Sequence, residues 1–144
     1  MKLRDLASPL EAALTRLTEK PESQRPCLVV EAEPKNKTGL FIQYAGSAAQ
    51  PLVLEVCFNV VTREIPGFES AAKEFFGCEM RIAEDETNGV WDKECASVVR
   101  AVELGMYALR YVLRLDWGRE LSIDEIEDEP IDRMRRALVL GGLS

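Results

Sequence analysis

Three segments carry a hydrophobic period of two: residues 27–33, Cys27-Leu28-Val29-Val30-Glu31-Ala32-Glu33; residues 40–45, Leu40-Phe41-Ile42-Gln43-Tyr44-Ala45; and residues 52–59, Leu52-Val53-Leu54-Glu55-Val56-Cys57-Phe58-Asn59. The links between them, Pro34-Lys35-Asn36-Lys37-Thr38-Gly39 and Gly46-Ser47-Ala48-Ala49-Gln50-Pro51, are short and rich in turn formers. That combination predicts three strands in an antiparallel meander. Strict alternation puts Leu28, Val30, Ala32, Leu40, Ile42, Tyr44, Leu52, Leu54, Val56 and Phe58 on one face, the expected core. The other face carries Glu31, Glu33, Gln43, Glu55 and Asn59 among Val29, Phe41, Val53 and Cys57, and its mixed character predicts a face at least partly open to solvent.

Helical periodicity flanks this block. Ser8-Pro9-Leu10-Glu11 reads as a capping box with proline in the first turn, which predicts a helix over 9–20 that buries Leu10, Ala13, Leu14 and Leu17. A short helix is predicted over 68–76, with Phe68, Ala71, Ala72 and Phe75 on one side and Gly77 as its stop. Residues 78–83 and 90–94 read as a further short hairpin around the acidic turn Glu84-Asp85-Glu86-Thr87-Asn88-Gly89.

The long helix predicted over 91–115 has two apolar seams. Cys95, Val98, Val99, Val102, Met106, Leu109, Val112 and Leu113 define one; Leu104, Tyr107, Ala108, Tyr111 and Leu115 define the second. A helix this broadly apolar asks for burial on two sides, so Leu104, Tyr107, Ala108 and Tyr111 are the expected homodimer interface. Gly105 in mid-helix costs about 1 kcal/mol relative to alanine, which points to the close approach of another backbone. A second capping box, Ser122-Ile123-Asp124-Glu125, and Pro130 predict a helical extension over 119–144, with its last helix over 131–140, packed on the domain formed by residues 1–118.

Composition narrows the function classes. With 144 residues, 47% of them hydrophobic and 30% charged, the chain has the size and balance of one ordinary globular domain. No apolar stretch approaches the roughly 18 residues of a membrane span, and Met1-Lys2-Leu3-Arg4-Asp5 leads into no signal-like segment, so the cytoplasm is the expected compartment. A net charge of −7 works against attraction to phosphate backbones and anionic membranes, so neither is an expected partner. Cys27, Cys57, Cys78 and Cys95 form no C-x-x-C pair and lie in or beside apolar segments, as reduced buried thiols do.

Chemistry is poorly represented. The chain has no histidine, which removes the commonest general base, the histidine-activated nucleophiles and imidazole metal sites. Neither glycine-rich phosphate cradle is present. Glu31, Glu33 and Glu55 could supply paired carboxylates if the fold gathers them, but a solvated sheet face is the simpler reading. Glu84, Glu86 and Asn88 resemble the start of a calcium loop, yet its twelfth position would be Cys95 where a bidentate Glu is needed. Cys95 at the head of a helix could have a lowered thiol pKa, but it lies on the core seam. Arg100, Arg110 and Arg114 line the polar side of the long helix, where they solvate it or hold an acidic partner. No catalytic residue, metal or cofactor is expected.

Several short motifs are similar to those of the type III secretion chaperone-like (TY-Chap, YbjN-like) domains. Phe41-Ile42-Gln43-Tyr44 resembles that family's aromatic–aliphatic–Gln–aromatic strand, and Glu55 with Asn59 resembles its Glu-x-x-x-Asn pattern. Asn88 with Trp91 and Ala108-Leu109-Arg110-Tyr111-Val112 resemble its later segments. The resemblance implies an α+β fold, an antiparallel sheet with helices packed on one face, often dimeric, that binds protein segments without catalysis. The expected binding surface is then Val29, Glu31, Phe41, Gln43, Val53, Glu55 and Asn59. The rival classes are an immunity or antitoxin-like inhibitor and a carboxylate-based enzyme.

Overall fold

The computed structural model describes residues 1–77, 81–82 and 89–127. The alternating segments form β1 (Pro26–Ala32), β2 (Phe41–Ala45) and β3 (Leu52–Phe58), antiparallel neighbours in the expected meander. Val30 faces Ile42, which faces Val56; Leu28 faces Tyr44, which faces Leu54. These residues, with Ala32 and Leu52, all lie in the main core, so the register and the choice of core face hold.

The sheet is wider than the meander. Strands β4 (Arg81–Ile82), β5 (Gly89–Cys95) and β6 (Leu121–Glu127) extend it to the order β4-β5-β3-β2-β1-β6, with every pair antiparallel. The helices α1 (Ala7–Glu19), α3 (Phe68–Phe76) and α4 (Val98–Tyr107) bury their apolar sides in the same core on one face, and a single turn of helix, α2 (Val60–Arg63), leads from β3 towards α3. The protein is therefore α+β with an antiparallel sheet.

Residues 90–94 form the strand expected of the second hairpin, within β5, so the long helix expected from residue 91 starts later. In β5 Trp91 and Cys95 point into the main core, and Trp91 packs edge-on against Phe58 and Phe68. Helix α4 starts only after Ser97, whose hydroxyl accepts the Arg100 N–H at 3.1 Å. Residues 121–127 pair along the whole of β1, so the segment read as a helical extension completes the same sheet. Its period-two pattern explains why: Leu121 and Ile123 face the main core, while Ile126 packs in a second cluster beyond the other face. Glu125 and Glu127, on the helical side, meet Arg16 and Lys20 of α1. Strand pairing along a bare β1 edge outweighs the Ser-x-x-Glu signal. The expected last helix over 131–140, Cys78 and the acidic turn 84–88 lie outside the described residues.

Helix α1 starts at Ala7, after a 3₁₀ turn at Leu3–Asp5, and the expected Ser8 box is not formed. Its buried residues, Leu10, Ala13, Leu14 and Leu17, are as expected. Helix α3 has the expected bounds and ends on Gly77 in the left-handed region. Phe76, however, is buried where Phe75 was expected, and Phe75 is left half-buried.

Gly105 marks a close approach, although by a side chain instead of a backbone. Tyr44 rises from β2 so that its hydroxyl donates to the Ala101 carbonyl at 2.8 Å, in the space a Cβ at residue 105 would fill. One turn later α4 widens into a π turn at Ala108–Val112, closed by the Leu113 N–H on the Ala108 carbonyl at 2.9 Å, and the helix stops at Arg114 with φ 58°.

Candidate functional site

The sheet face opposite the helices is not the open surface expected from its mixed composition. Val29 is 0% and Phe41 2% exposed, and with Cys57 they form a second apolar cluster joined by Val90 and Ile126. Glu31 and Gln43 are buried too, while Val53 and Glu55 are half-buried. Glu31 accepts the Asn36 N–H at 3.0 Å, and Gln43 donates to the Glu55 carboxylate at 3.4 Å. An accessible docking platform made of Val29, Glu31, Phe41 and Gln43 is thereby withdrawn.

Asn59 has a local task. It ends β3 and caps α2: its side-chain oxygen accepts the N–H groups of Val61 and Thr62, each at 2.9 Å, and the Thr62 hydroxyl accepts the Asn59 N–H. The sequence signal, Asn-x-x-Thr, reads as a capping box once the strand end is known. Asn59→Ala should therefore cost about 1–2 kcal/mol in urea unfolding, and Asn59→Ser, which like Ala loses the amide donor to the Gly39 carbonyl but keeps a capping oxygen, should cost less. Equal losses for the two variants would deny the cap.

The candidate carboxylates are not gathered. Glu31 lies on β1 and Glu55 on β3, with β2 between them and two residues of offset along the strands, a backbone separation of roughly 12 Å. Glu33 lies beyond β1 and accepts the Lys35 N–H. Among the described residues no group of three or more Cys, Asp and Glu side chains could hold a metal ion. Cys27, Cys57 and Cys95 are buried and not in disulfides. Burial pushes the Cys57 thiol up to about 12, with the nearby Glu55 charge adding to it. Burial also raises the Cys95 thiol, despite a hydrogen bond from the Leu54 backbone and the nearby charges of Lys93 and Arg100. Cys95 is thus the core thiol its place on the apolar seam suggested, although it lies at the end of a strand and not at the head of a helix.

The second seam of α4 divides. Leu104 and Ala108 are buried in the protein's own core, because the seam's inner edge rests on the sheet and its neighbours. Tyr107 and Tyr111 remain 51% and 50% exposed. Phe75 of α3 stacks on Tyr107 with ring centres 5.1 Å apart and planes 7° from parallel, and Tyr107 meets Tyr111 at 4.9 Å. This aromatic ladder borders a groove of about 510 Å³ whose rim includes Lys93, Arg100 and Glu103. The expected core seam also needs one correction, since Val99 is exposed.

Arg110 continues the ladder. Its guanidinium lies 5.1 Å from the Tyr111 ring centre and 5.8 Å from that of Trp117, which is also exposed. The arrangement offers stacked aromatic surface with charges of both signs at its edge.

No protein-family model, no curated protein and no solved structure matches the chain. Among the described residues no helix is long and apolar enough to cross a membrane.

Proposed function

We propose that this chain is a non-catalytic, chaperone-like protein-binding module that acts as a homodimer in the cytoplasm. The observation that carries the reading is the exposed pair Tyr107 and Tyr111, stacked on the half-buried Phe75 beside the groove between α3 and α4. Large aromatics on a surface expose apolar area at no benefit to an isolated monomer, and they are the residues most often found anchoring protein contacts. Strand motifs similar to those of the secretion-chaperone-like domains support the same class. The residues first expected to bind a partner on the sheet now serve packing and capping, which moves the proposed contact to the helical side.

Light scattering at micromolar concentration tests it. The wild-type chain should show twice the 16.1 kDa chain mass, and Tyr107→Glu should shift it to a monomer that circular dichroism shows still folded, less stable by about 1 kcal/mol for the lost stacking on Phe75 and Tyr111. A wild-type chain that stays monomeric at high concentration overturns the homodimer.

A further inference from the structure

The exposed Tyr107 has an acid, Glu103, on one side along the helix and a base, Arg110, on the other. Glu103 lies one α-helical turn before Tyr107, a rise of about 6 Å along the axis, and Arg110 follows Tyr107 by three residues within the wider π turn at Ala108–Val112. A two-fold axis through Tyr107 that sets two α4 helices antiparallel therefore places Glu103 of each copy beside Arg110 of the other. In such an isologous contact every pair occurs twice. We infer that the partner seated on the Tyr107 face is a second copy of this chain, held in antiparallel register by two Glu103–Arg110 ion pairs around a stacked tyrosine centre. The inference rests on the homodimer reading above and specifies its geometry.

Three observations carry it. First, the Arg110 guanidinium is held over the Tyr111 and Trp117 rings and forms no ion pair among the described residues. A guanidinium fixed in this way is preorganised to receive a carboxylate from outside. Second, Glu103 meets only Arg100 among the described residues, at 2.9 Å on an open surface where both side chains are more than half exposed. Such a pair is weak, so Glu103 can be shared with a second arginine. Third, the acid and the base lie on opposite sides of the exposed Tyr107, as two-fold closure requires. A partner of one charge sign would leave either Glu103 or Arg110 facing its own kind.

Charge reversal tests the register. Glu103→Arg alone sets two arginines against each other at both ends of the contact, and Arg110→Glu alone sets two glutamates against each other there. Each variant should self-associate about tenfold or more weakly than wild type. An equimolar mixture of the two restores one native and one reversed pair, and should form a heterodimer within a few-fold of the wild-type Kd. Circular dichroism checks each fold first; should Arg110→Glu not fold, Arg110→Gln takes its place, and its mixture with Glu103→Arg must associate more tightly than Glu103→Arg alone. A wild-type dimer that neither single reversal weakens, or reversals that mixing does not repair, overturns this pairing and leaves the Tyr107 seam standing. A monomeric wild type overturns both.

Discussion

Gly105→Ala should destabilise the protein by about 3 kcal/mol, a large share of the 5–15 kcal/mol that holds a domain of this size folded. The added methyl group would occupy the position of the Tyr44 hydroxyl, which is itself tied to the Ala101 carbonyl and enclosed by core. Neither partner can step aside: Tyr44 is fully buried on a central strand, and α4 is pinned by Ala101, Leu104 and Ala108 beneath it. Tyr44→Phe by itself should cost about 1 kcal/mol, for the lost hydrogen bond. The two together should cost less than their sum, because removing the hydroxyl leaves the new Cβ about 3.1 Å from the ring and 3.2 Å from the Ile42 side chain, tight contacts that small shifts can absorb. Urea unfolding of the four proteins in the cycle gives the coupling. Additive costs would mean that the glycine is needed for another reason.

Phe41→Ser should be the most damaging change on the sheet face away from the helices, at about 4 kcal/mol, because it opens a cavity beside Val29 and Cys57 and places a hydroxyl there. Val53→Ser, on the same face at a half-buried position, should cost clearly less. A wild-type midpoint for Phe41→Ser would restore the open platform that alternation suggested. The loss is expected without any slip of register, since Ile42 and Tyr44 still face the main core.

That face illustrates what the residues disclosed and what they concealed. Alternation found three strands and their main-core side because Leu28, Ile42 and Leu54 are apolar every second residue, a signal that is local. The burial of β1 on both sides was also written in it: Cys27-Leu28-Val29-Val30 is continuously apolar, as strands covered on both faces are. It was read as alternation only because Glu31 and Glu33 follow. β6 was harder, since Ser122-x-x-Glu125 satisfies a helix-start rule locally while its pairing partner lies far back in the chain. Trp91–Cys95 supports a strand and a helix start alike, as two apolar residues four apart suit both periods over so short a run. In the candidate site, the exposure of Tyr107 and Tyr111 was legible as surplus apolar surface on a helix already satisfied by one seam. The Arg110 stack was not, because Trp117 lies beyond a left-handed turn at Arg114 that spacing does not reveal.

The placement of β6 has a consequence for how the chain comes into being. During synthesis β1 leaves the ribosome early and finds β2 and β3 soon afterwards, yet Val29 and Val30 wait for Asp124 and Ile123 before their second side is paired. Leu3 and Arg4 wait as well, since their backbone N–H groups bond to Arg119 and Trp117. Until that late segment emerges the nascent protein carries an apolar strand with a bare edge, which is the form most prone to pair with a neighbour on the same messenger. The cell's exposure to aggregation is thus set by the time translation takes to travel from β1 to β6, and slow codons between them would lengthen it.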